Sequence, residues 1–180
     1  MKKIKLMIAA FSLILFVPST SFALLEVGAY GGYTSMDKIE NVDMSGFHYG
    51  VITHMTFSLP LLATIGAGGY YQRGTFSDSG YEVTKQTLGL DAFARLEIPV
   101  LPLKPYGRIS TSAWDRVSGD IKSDTRYFED YSLGGGLAYM IPFPVLKLML
   151  YTEYLYTVYS IDDGDRSYGH TFNVGVKAGI

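Results

Sequence analysis

Two kinds of connection take strict turns along this chain. One kind is short, apolar and proline-bearing: Ser58-Leu59-Pro60-Leu61, the run from Pro99 to Pro105, and Pro142-Phe143-Pro144. The other kind is polar and spans 37–46, 74–81, 115–127 and 161–168. Pro60, Pro102 and Pro144 recur every 42 residues. Between the connections lie eight segments that alternate residue by residue, the period of a strand: about 25–36, 46–58, 62–73, 82–98, 105–115, 128–141, 145–160 and 167–180. Alternating connections put every polar one at one end of a sheet and every short turn at the other. The predicted fold is all-β: an eight-stranded antiparallel up-and-down barrel. Proline suits the turns because it need not donate to a ladder there.

The first residues do not fit that pattern. Lys2, Lys3 and Lys5 precede an apolar run from Leu6 to Val17, then Pro18 and Ser21-Phe22-Ala23. This is the pattern of a cleaved secretory leader, and the run is short for a spanning helix of about 20 residues. The expected division is a signal peptide at 1–23 and a barrel at 24–180. Losing three lysines and no acid takes the net charge from −2 to −5. That balance gives no basic footprint for nucleic acid. The absence of cysteine excludes disulfides and thiolate metal sites.

The two faces of each segment differ. Leu88, Leu90, Ala92, Ala94, Leu96 and Ile98 form one face of the fourth segment; Phe172, Val174, Val176, Ala178 and Ile180 form one face of the eighth. The opposite faces mix glycine, hydroxyls, aromatics and charge. Their charges are Glu26, Asp91, Glu97 and Glu153 against Arg95, Arg108, Lys147 and Lys177, balanced as if paired. A solvated exterior would not carry so many glycines (Gly28, Gly50, Gly66, Gly89, Gly136 and Gly175 among them), whereas the crowded interior of a narrow barrel suits them. On the apolar face, Tyr33, Tyr49, Tyr71, Tyr131, Tyr154 and Tyr156 sit toward the polar connections, and Phe57 and Phe143 toward the turns. Two aromatic girdles around an apolar band mark a lipid-facing barrel, closed because no unpaired backbone edge survives in lipid. The charged set is then expected inside.

The leader, the alternating segments, the proline turns and a last strand running to the terminus resemble the small eight-stranded bacterial outer-membrane barrels of the OmpA/OmpX type. The chain departs from them at its end: it closes on Gly179-Ile180 rather than an aromatic residue. The resemblance implies a Gram-negative outer membrane, contact with outer-membrane lipids and lipopolysaccharide, and insertion by the barrel-assembly machinery. It implies no cofactor.

Chemistry is harder to find. Enzymes of envelope lipids on such barrels use a His-x-Ser pair, or His, Asp and Ser together. The histidines here read His48-Tyr49-Gly50, His54-Met55-Thr56 and His170-Thr171-Phe172, and only Asp78-Ser79 with His48 mimics a trio. A serine nucleophile needs a positioned base, so the chain is read as non-enzymatic. Asp162-Asp163-Gly164-Asp165 lacks a calcium-loop spacing. Arg116, Lys122 and Arg126 in the third polar connection offer charge-assisted bonds to lipopolysaccharide phosphates. His54 is either a titrating lumen group or a neutral imidazole held in the network. The expected function is a plugged barrel whose four polar connections face outward for binding, adhesion or envelope integrity. The alternatives are a narrow channel for ions or small solutes and an envelope-lipid hydrolase or acyltransferase.

Overall fold

A computed structural model describes residues 24–39, 42–59, 62–78, 80–98, 101–119, 124–126, 129–142, 146–160 and 166–179. Residues 1–23, Phe143, Lys122, the acidic run 162–165 and Ile180 lie outside the described residues, as does the side chain of Arg126. The strands are β1 (Leu24–Ile39), β2 (Val42–Leu59), β3 (Ala63–Asp78), β4 (Tyr81–Leu96), β5 (Leu103–Gly119), the three-residue β6 (Asp124–Arg126), β7 (Tyr131–Pro142), β8 (Lys147–Ser160) and β9 (Arg166–Gly179).

Every pairing is antiparallel between chain neighbours, β6 folds back on the end of β5, and β1 pairs β9. The result is a closed barrel of eight long strands. A bulge at Ala113 shifts the β4–β5 register between Leu88/Trp114 and Gly89/Ser112.

Alternation holds from end to end. The outer wall carries Leu25, Val27, Val51, Met55, Leu90, Ile109, Leu133, Leu137, Leu150, Val174 and Val176. Tyr33, Tyr49, Tyr131, Tyr154 and Tyr156 rim this band toward the polar hairpins, with Tyr71 half-buried beside them, and Phe57 stands near the turns. Phe47, 76 % exposed, and Phe172 join the upper rim, two aromatics the sequence reading did not assign to it.

The polar connections are shorter than expected. Ile39 pairs with Val42 and Asp78 with Tyr81, so most of 37–46 and 74–81 is strand. β5 runs to Gly119 with β6 laid against it, and β9 begins at Arg166. Polar residues that look like loop in the sequence are strand here because the outer face of a hairpin above the apolar band is wetted while its inner face stays packed. The barrel wall therefore continues past the band as a β-extension. Gly80 turns the β3–β4 hairpin with a φ of 96°, a conformation that favours glycine.

The inward glycines have a packing role. Tyr30 faces Gly50, Tyr70 faces Gly89, Phe93 faces Gly66 and Tyr151 faces Gly175 across neighbouring strands. A Cβ on Gly89 would stand 2.3 Å from the Tyr70 ring, and one on Gly66 2.4 Å from Phe93. Each large ring thus occupies the space a glycine leaves, which lets a narrow barrel hold aromatics. Gly89→Ala should cost about 1–3 kcal/mol by overpacking, measured by urea unfolding followed through Trp114, the chain's single tryptophan.

Candidate functional site

The lumen is filled in layers, each set by which residue falls on the inward register. At the turn end, Arg95 on β4 reaches Glu26 on β1 with two bonds of 2.8 and 3.3 Å. Its Nε donates to Glu97 at 2.7 Å, and Nη1 touches the Met149 sulfur at 3.2 Å. Lys104 caps the carbonyl of Ile98 at 2.7 Å and lies 3.8 Å from Glu97. Glu26 is completely buried.

Above this layer sit Phe93, Tyr106 and Tyr151, edge to face, with Tyr30 and Tyr70 nearby. The Lys177 ammonium lies among the first three, 5.2, 5.8 and 4.7 Å from their centroids. It forms no ion pair among the described residues, so ring quadrupoles are its local partners.

The central layer crosses the barrel. His54 on β2 donates to Asp91 on β4 at 2.8 Å; Arg108 on β5 donates to the same Asp91 oxygen at 2.8 Å and to Glu153 on β8 at 2.5 Å. Glu153 also accepts from Tyr106 at 3.0 Å and from Asn173 on β9 at 2.9 Å. Asn173 in turn accepts from His48 at 2.6 Å, and Thr34 shares a 3.3 Å bond with the other nitrogen of that ring. Charge-assisted bonds of this kind are the strong ones, and with the Asn173–His48–Thr34 bonds they form one continuous chain that links β1, β2, β4, β5, β8 and β9.

Toward the hairpins the lumen becomes apolar. Met36, Met44, Phe76 and Val83 are buried against Val117 and Tyr159. Beside them Lys85 pairs with Asp130, and with Asp115 at 3.4 Å. Asp130 also receives the Ser160 amide at 3.1 Å, and its own amide donates to Ser112 at 3.1 Å. The space left in the lumen is small. A cavity of about 40 Å³ lies around Tyr70, Ser110 and Thr157, and one of about 10 Å³ around Met149 and Lys177. Since one water needs about 10–15 Å³, these hold a few waters and one.

Seven of the eight charged residues predicted for the lumen are there: Glu26, Asp91, Arg95, Glu97, Arg108, Glu153 and Lys177, with Glu97 partly exposed at the rim. Lys147 is a correction. It opens β8 opposite Pro142 and Gly179, on the inward register of Met149 and Glu153 but at the strand's exposed first residue, without an ion pair among the described residues. Lys104 takes its place, because β5 starts at Leu103 rather than Pro105 and so turns Lys104 inward. The Lys85–Asp115–Asp130 cluster is missing from the expected lumen set because its members sit at the polar ends of their segments, where their faces look solvated. Lys85 and Asp130 lie inside the segments expected at 82–98 and 128–141 and Asp115 ends the one at 105–115, and the inward series Val83, Lys85, Thr87 keeps the strand period.

Of the candidate catalytic trio, His48 and Asp78 do not meet. His48 points into the lumen opposite Gly74, while Asp78 lies four residues further along β3 at the hairpin, and Ser79 is outside the described residues. His54 is a buried member of the ionic chain. Among the described residues no group of three His, Asp or Glu side chains forms a metal set.

Residues 7–178 match the outer membrane protein beta-barrel domain family. The chain belongs to that family. This outer-membrane barrel has the apolar outer wall facing lipid and crosses the bacterial outer membrane with its strands. Among solved structures it is similar to neisserial surface protein A, with a TM-score of 0.66 at 15 % identity over 85 % of this chain and 95 % of that one. It is also similar to Ail, the attachment invasion locus protein of Yersinia pestis, solved with the heparin analogue sucrose octasulfate: TM-score 0.52, 13 % identity, 88 % of this chain and 99 % of that one. Identities this low bear on the fold alone. No curated protein matches the chain.

Proposed function

We propose that this outer-membrane barrel is a plugged scaffold, exported by a leader at 1–23, whose working surface is the hairpin end of residues 24–180 facing the cell exterior. The observation that carries the reading is Arg108, which ties Asp91 on one wall to Glu153 on another across the lumen. An ion path would have to break this bridge and displace the aromatic layer below it and the apolar cluster above. Conduction through charged rings needs a wetted lumen, and cavities of about 10 and 40 Å³ hold too little water to supply one.

The β-extension supports the second half of the reading. Strands that continue past the lipid band, stitched by Lys85–Asp130, make a firm platform rather than four slack loops. Rigid presentation lowers the ordering cost of binding, which suits adhesion or contact with a neighbouring envelope component.

A chain without cysteine allows a direct test. Ser77→Cys at the hairpin end and Leu101→Cys at the turn end are treated on intact cells with a maleimide too large for porins. Ser77→Cys should label at once, and Leu101→Cys only after the outer membrane is opened. The reverse order would invert the orientation and remove the proposed surface from the exterior.

A further inference from the structure

The register aligns two arginines on the outer wall. Tyr49 pairs with Arg73, Arg73 with Gln86, Gln86 with Arg116, and Arg116 with Thr125, one row across β2 to β6. Arg73, Arg116 and Thr125 are exposed. The row lies one outward position beyond Tyr71, Leu88 and Trp114, the last apolar residues of the band on their strands.

Three observations give this row a ligand chemistry. Neither arginine has an ion pair among the described residues, while the lumen arginines Arg95 and Arg108 are each shared between two acids. No acid stands in the row itself. Of the exposed acids of the neighbouring wall, Asp37, Asp43 and Glu82 stand nearer the hairpin tips, while Glu129, beside the Trp114 end of β5, is already engaged by another group. Across β2 to β4, positive charge therefore hugs the apolar band and negative charge stands off from it. Strand spacing puts the two arginine backbones about 10 Å apart, with the Gln86 amide between them. Guanidinium forks bind phosphate in bidentate fashion, and long side chains at this height keep their stems on the apolar wall and their heads at its polar edge.

We infer that Arg73, Gln86 and Arg116 form a site for the phosphate of a phosphorylated glycolipid in the outer leaflet, its acyl chains lying on the Leu88–Trp114 wall below. The inference rests on the proposed orientation for its place in the cell, but not for its chemistry.

The test uses the refolded mature barrel in phosphatidylcholine nanodiscs, titrated with diphosphorylated lipid A and with the same lipid stripped of phosphate. Such discs have no inside or outside, so failure here is separable from failure of the labelling experiment. Wild type should prefer the phosphorylated lipid. Arg73→Gln/Arg116→Gln should bind it about 10- to 100-fold more weakly with unchanged heat-modifiable gel mobility. Arg73→Lys/Arg116→Lys should fall between the two. Arg166→Gln should leave binding intact, because that outward arginine is engaged by the Tyr131 hydroxyl at 3.3 Å. Equal binding by wild type and the double glutamine variant would overturn the site. So would indifference to lipid phosphate, or soluble sucrose octasulfate binding as tightly as lipid A, which would mark a soluble polyanion site instead.

Discussion

Arg108→Ala should lower unfolding stability by about 3–5 kcal/mol, the usual cost of leaving buried charge without its partner. Two acids are stranded at once. Asp91 and Glu153 have side chains with no exposure, and among the described residues Arg108 is the only cation that bonds both. Asp91 would keep His54, and Glu153 would keep Tyr106 and Asn173, so the barrel should still close. Urea unfolding in lipid vesicles, followed by Trp114 fluorescence, reads the loss. Removing the acids with the base, as Arg108→Met/Asp91→Asn/Glu153→Gln, should recover most of it, because an uncharged network escapes the penalty of unpaired charge. Failure of that triple variant to recover stability would mean that the volume of Arg108, not its charge, holds the layer.

Arg95→Ala is the second large effect, expected at about 3 kcal/mol, the low end of the same range. Glu26 is fully buried and loses both of its guanidinium bonds. The loss is milder than at Arg108 because Glu97 is 23 % exposed at the rim and can take water in place of its partner. Glu26→Gln/Arg95→Met should restore stability. If Arg95→Ala unfolds no more easily than wild type, the turn-end layer is solvated and the plug rests on the central layer alone.

The sequence carried much of this design because a closed barrel has a simple code. The inward set Asp91, Arg95, Arg108, Glu153 and Lys177 is legible from alternation alone, since each holds the mixed face of a long unbroken segment whose other face is mostly apolar. Errors gathered where the code weakens. Lys147 and Lys104 exchange roles at strand ends beside proline turns: Lys147 keeps the inward register of Met149 but stands exposed at the first residue of β8, while Lys104 enters the lumen because β5 begins at Leu103. The cluster of Met36, Met44, Phe76 and Val83 was hidden in polar hairpins. Its period-2 signal was present, but hydrophilic residues on the outer face masked it, as expected for strands above the lipid where polarity no longer separates wall from water. Partner choice inside the lumen was not legible. That Arg108 joins Asp91 to Glu153 depends on how β5 sits against β8 across the barrel, and alternation carries no information about that distance.

The plug itself is tested most directly by single-channel recording of the refolded mature chain in a planar bilayer, with folding confirmed by heat-modifiable mobility. Wild type should insert and stay silent. Discrete, reproducible current steps whose ion selectivity changes in Glu153→Gln or Arg95→Gln would contradict a closed lumen and make this barrel a channel.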